Sequence, residues 1–66
     1  MKISRAKIER IMAIKGLSVS QVAQAADLLP QNISIAKSRE SCAPATAGKL
    51  AKALGVDVRE IMKEEA

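Results

Sequence analysis

Apolar residues recur along the chain at intervals of three and four, and each run is closed by a residue that cannot comfortably continue a helix. Ile8, Ile11 and Met12 fall at helical spacing while Arg5, Glu9 and Arg10 occupy the rest of the wheel, predicting a first helix over 4–14. Lys15 and Gly16 end it with a cationic last turn and a residue suited to left-handed backbone. Ser18-Val19-Ser20-Gln21 matches a capping box, with Leu17 and Val22 at the staple positions, so a second helix starts from a Ser18 cap and buries Val22, Ala23 and Ala26. Asp27-Leu28-Leu29-Pro30 interrupts it, because Pro30 has no backbone donor and biases Leu29 toward an extended conformation. Proline is tolerated in a first turn, which predicts a third helix over 30–39 with Ile33 and Ala36 inward. Gln31, Asn32, Ile35 and Ser38 take its other faces. Residues 40–43 link it to Pro44, which opens a fourth helix that buries Ala47, Leu50, Ala51 and Leu54 and ends at Gly55. Asp57 and Glu60 stand as the cap and N3 acid of a short fifth helix, stapled by Val56 and Ile61, running through Met62 and fraying over 63–66.

Five helices, short links, no alternating strand pattern and no repeat describe an all-α fold: one compact five-helix domain over 1–66. A chain of 66 residues buries only about 60% of its unfolded surface, so its core must be economical. With no Phe, Tyr, Trp or His, that core is built from Ile, Leu, Val, Met and Ala. The same absence excludes stacking of aromatic side chains on unpaired bases, and with it most single-strand and RNA readers.

Charge adds direction. The 11 Lys and Arg outnumber the 7 Asp and Glu, for a net charge of +4 that favours a polyanion as partner. Cations concentrate in 1–15 (Lys2, Arg5, Lys7, Arg10, Lys15) and in 37–52 (Lys37, Arg39, Lys49, Lys52), flanking a nearly uncharged middle. Lys2, Arg5 and Lys7 are either a flexible basic arm or plain solvated charge. The single cysteine, Cys42, makes no internal disulfide or metal cluster and suits a reducing cytoplasm; it reads as an incidental loop residue, with redox-linked dimerisation the minor alternative. No apolar run reaches the ~18–20 residues of a membrane span. Without His, a second Cys or a convincing carboxylate pair, no nucleophile has an evident base. The expectation is a cytoplasmic protein that is not an enzyme and carries no cofactor, metal or small-molecule ligand.

The second and third helices, joined by about three residues, have the spacing of a helix-turn-helix. Ala23 is small where the helices cross, Leu28 plugs the turn, and Ile33 with Ala36 holds the third helix so that its opposite face protrudes. Together with Gly16-Leu17-Ser18, Val22-Ala23, Ile33-Ser34, Pro44 and the run from Lys49 to Val58 (KLAKALGVDV), this ordered set resembles the lambdoid phage repressor and Cro-like helix-turn-helix regulators over nearly the whole chain. Four departures stand out. Asp27 replaces the turn's usual Gly, Leu29 the usual Ser or Thr cap, and Pro30 a position that often reads a base. Met12 and Lys37 replace an Arg–Glu pair that many relatives place between the first and third helices.

The resemblance implies a lambda-repressor-like fold and a sequence-specific transcriptional regulator, a repressor binding a palindromic double-stranded DNA operator. Carried over by position, Gln31 is the leading base reader, able to bond bidentately to adenine, and Ile35 offers apolar contact to a thymine methyl. Asn32, Ser34 and Ser38 are secondary readers. Asn32 and Ser34 read equally well as solvated helix positions, and Ile35 as a residue closing a dimer or the core. Ser18, Val19 and Ser20, at a helix N-terminus, with Gln21, Lys37, Arg39 and Ser41, are the phosphate contacts. A module this small covers one half-site, which implies a homodimer joined around the loop after the third helix and the fifth helix. The alternative is a helical protein-interaction module, antitoxin-like or a regulatory subunit, with weak or lost DNA specificity; Leu29 and Pro30 at the groove-facing end favour it.

Overall fold

The computed structural model describes residues 1–63 and contains four α-helices: α1 (Arg5–Lys15), α2 (Val19–Ala26), α3 (Pro30–Arg39) and α4 (Pro44–Leu54). Each helix begins where local chemistry allows. The Ser4 hydroxyl accepts from the Lys7 N–H, and at α2 both halves of the capping box form: Gln21 N–H to Ser18 Oγ at 3.2 Å and Ser18 N–H to Gln21 Oε1 at 2.8 Å. α3 and α4 have no side-chain cap, and each instead carries proline at its first position, where no donor is missed.

All four helices end in left-handed backbone. Gly55 closes α4 at φ +74°, and a Cβ there would come within 2.8 Å of the Lys15 Nζ. That ammonium donates to the Leu54 carbonyl at 2.7 Å, so α1 supplies a cation to the negative end of α4. Asp27 (φ +57°) and Glu40 (φ +52°) take the same conformation with a Cβ, which costs them what glycine would avoid. At Glu40 the cost is offset. Its carboxylate accepts from the Arg5 N–H at 3.2 Å, helping to cap α1, and lies 3.5 Å from Lys63 Nζ. At Asp27 the anion also sits at the C-terminal end of α2, against the helix dipole. Asp27→Gly is therefore expected to stabilise the domain by about 0.5–1 kcal/mol, raising Tm by about 2–8 °C in a thermal melt. A lowered Tm would show that the Asp27 side chain contributes more than its strain costs.

The expected fifth helix is a single 3₁₀ turn, Val58–Glu60, so the architecture is four helices plus a turn. Asp57 accepts from the Arg59 N–H at 2.9 Å and also from the Arg59 guanidinium at 3.2 Å, so no reciprocal box with Glu60 is needed to start it. Continuation is prevented by competing long-range demands. The Ile61 side chain is fully buried, and its carbonyl accepts from the Ser4 N–H at 2.7 Å. The chain then runs extended beside the N-terminus, with an antiparallel bridge between Ile3 and Met62. Of the expected frayed end, 64–66 lie outside the described residues.

The N-terminus is likewise no flexible arm. Lys2 bridges to Ser41, the Ile3 N–H donates to Glu40 O at 3.0 Å, and the Cys42 N–H donates to Met1 O at 3.0 Å. These contacts thread the first three residues between the α3–α4 loop and residues 61–63, and they seat Ile3 in the core. Ile3, Ile8, Val22, Ile33, Leu50, Leu54 and Ile61 are the largest fully buried side chains. Met12 and the alanines Ala23, Ala26, Ala36, Ala47 and Ala51 complete the core, and the small size of the alanines lets α2 lie close against both α3 and α4. No described helix is long and apolar enough to cross a membrane.

Candidate nucleic-acid interface

α2, the turn Asp27-Leu28-Leu29 and α3 form a helix-turn-helix whose parts are held by the predicted apolar residues. The Leu28 N–H donates back to the Ala23 carbonyl at 2.9 Å, and its side chain packs half-buried on the core. Ile33 and Ala36 pin α3 to the domain. The opposite side of α3 is consequently forced outward: Gln31, Ser34, Ile35 and Ser38, at i, i+3, i+4 and i+7, form one exposed stripe. Ile35 is 48% exposed, so it does not close the core of this chain. Asn32 is also exposed but stands on the flank facing α4, where with Leu28, Ile35, Arg39, Cys42 and Thr46 it lines a shallow groove of about 230 Å³. The structure thus gathers four of the five expected base readers on one face and sets Asn32 beside it.

The expected phosphate contacts divide into three places. At the start of α2, the capping box takes up the Ser18 N–H, which donates to the Gln21 side-chain Oε1, and uses the Ser18 Oγ as an acceptor from the Gln21 N–H. What this end offers an anion is the Val19 and Ser20 N–H groups, which have no acceptor within the helix, together with the dipole, the Ser18 O–H and the Gln21 amide NH₂. Arg39 and Ser41 are exposed at the far end of α3. Lys37 turns toward α1: its side chain is only 14% exposed and its Nζ lies 3.6 Å from Glu9 Oε1.

Glu9 is the residue that reading the sequence missed. It also accepts from the Arg5 guanidinium at 3.1 Å, and that hydrogen bond, with Arg5 and Lys37 both nearby, holds its carboxyl below the ordinary carboxylate range. A carboxylate on α1 thus faces a cation on α3 and links the two helices. The signal was present as Glu9 being the one acid among the cations of 1–15. Burial raises the Cys42 thiol, which keeps it protonated at neutral pH and consistent with packing.

No curated protein and no solved structure matched the chain. Its residues 7–66 match the family of Cro/C1-type HTH DNA-binding domains. That span takes in the whole of α2, the three-residue turn and the protruding stripe of α3. The chain therefore belongs to the Cro/C1-type helix-turn-helix DNA-binding domains, and DNA is its partner class.

Proposed function

We propose that this domain is a sequence-specific transcriptional repressor that lays α3 in the major groove of an inverted-repeat operator and acts by occluding a promoter. The exposed stripe of Gln31, Ser34, Ile35 and Ser38 carries the reading. A helix about 10–12 Å wide fits a groove about 12 Å wide, and these side chains are the ones that would meet base edges there. Gln31 pairs bidentately with an adenine, Ile35 packs on a thymine methyl, and the two serines accept or donate as the sequence requires. Val19, Ser20, Gln21, Arg39 and Ser41 hold the backbone phosphates on either side. Lys37, engaged by Glu9, serves chiefly to hold α3 at its angle to α1. One such module reads a half-site, so the working unit is a homodimer spanning half-sites about 34 Å apart.

Fluorescence anisotropy with random and upstream-region duplexes over a salt series tests this. A tightly bound subset whose affinity falls steeply with salt is the expected result. Equal, weak binding to every duplex would sink the specificity claim. It would favour instead a protein-binding use of the same scaffold, for which the 58% exposure of Leu29 beside Pro30 speaks. Sedimentation that finds a monomer both free and on DNA would remove the dimer.

A further inference from the structure

The two cations of α3 stand two residues apart, hence about 200° apart around its axis, which puts one on either flank of the exposed stripe. Arg39 is exposed on the flank facing α4, beside Ile35. Lys37 lies on the flank facing α1, roughly 60° around the helix from Ser34, and its surroundings differ. Its side chain is 14% exposed, and its ammonium is 3.6 Å from the carboxylate of Glu9. That carboxylate, on a half-exposed side chain, also takes the Arg5 guanidinium at 3.1 Å.

A helix lying in the major groove has a phosphate backbone on each side of it. Arg39 can meet one backbone as it stands. For Lys37 to meet the other it must leave Glu9, and a carboxylate held by Arg5 alone would then stand at the edge of a polyanion. The exchange trades one anionic partner for another and adds repulsion, so it gains little of the free energy that an unpaired cation gains by displacing counterions. The Glu9 carboxyl is held below the ordinary carboxylate range, so its charge is present at neutral pH.

We propose that Glu9 is a positioning residue that withholds Lys37 from the DNA backbone, so that α3 holds phosphate on its Arg39 flank and the sequence-independent affinity for DNA is kept low. This rests on the reading that α3 enters the major groove. Each phosphate contact strengthens right and wrong sites alike, so withholding one leaves a larger share of the binding to the base-facing stripe. The four-carbon lysine stem is flexible, and without the carboxylate the ammonium swings outward to the backbone.

The test follows binding of the whole chain to a random-sequence duplex by fluorescence anisotropy, from about 50 to about 200 mM salt. Glu9→Gln, a change of like shape at a half-exposed side chain, keeps the fold by thermal melt. It should tighten binding about threefold to tenfold at about 0.1 M salt and steepen the slope of log K against log salt by about one. Adding Lys37→Gln should remove that gain, and Lys37→Gln by itself should cost less of the slope than Arg39→Ala does. An unchanged slope in Glu9→Gln overturns the proposal. So does a gain that survives without Lys37, which would assign it to Arg5, and so does a loss in Lys37→Gln equal to that in Arg39→Ala, which would put Lys37 on phosphate already. Arg39→Ala separates this inference from the reading beneath it. A slope reduced there by about one, with no response to Glu9→Gln, removes only the role of Glu9. An unchanged slope in Arg39→Ala takes α3 out of the groove and the inference with it.

Discussion

Ile3→Ala is expected to lower the unfolding free energy by about 2–5 kcal/mol, measured by urea denaturation or from the shift in Tm. Ile3 is fully buried in the cluster formed by α1, α2, α3, α4 and Ile61, and removing three of its side-chain carbons leaves a void that the surrounding helices cannot collapse into without breaking their own contacts. Its backbone adds to the effect. The Ile3 N–H donates to Glu40, and the next residue, Ser4, donates to Ile61 while its hydroxyl caps α1, so loosening Ile3 loosens three elements at once. A chain of this size has a total stability of about 3–10 kcal/mol, so the variant should be partly unfolded at 37 °C. Lys2→Ala, one residue earlier and exposed, should change stability by less than about 0.5 kcal/mol. A loss under about 1 kcal/mol in Ile3→Ala would mean that the N-terminal segment is peripheral to the fold.

The second large effect is on DNA. Gln31→Ala should weaken binding to the best duplex by about 1–3 kcal/mol, roughly 5- to 150-fold, and should relax discrimination at one base pair. Gln31 is exposed in the first turn of α3, so its melting curve should match that of the parent chain. Arg39→Ala should instead weaken all duplexes alike and reduce the salt slope by about one. A uniform loss in Gln31→Ala, with altered base preference in Arg39→Ala, would reverse the two assignments.

The parts of the molecule legible in the chain are those governed by neighbours within one helical turn. The Ser18-to-Gln21 capping box, Pro30 and Pro44 as first residues of α3 and α4, and Gly16 and Gly55 as stops all act over a few residues, and the structure places them as expected. The inward faces of α2, α3 and α4 follow from periodicity for the same reason: a helix turns by a set angle per residue wherever it is packed. So does the exposed stripe of α3, since the positions of Ile33 and Ala36 leave Gln31, Ser34, Ile35 and Ser38 the other side.

What tertiary structure alone decided involves partners far apart along the chain. The local Asp57-to-Glu60 pattern favours a helix, but Ile61 must both fill the core and accept a hydrogen bond from Ser4, and those demands cut the helix to one turn. Nothing near Ile3 announces that it is core, because its pairing residues are Glu40 and Met62. Glu40 tolerates left-handed backbone because Arg5 and Lys63 come to it, and Lys37, placed off the stripe by its position on the helix, finds Glu9 because α1 packs beside that flank of α3. Caps, prolines and periodicity thus determined which helices form and which face α3 presents. Only packing between distant segments decided how residues 1–3 and 61–63 are tied together and which cation of α3 faces α1.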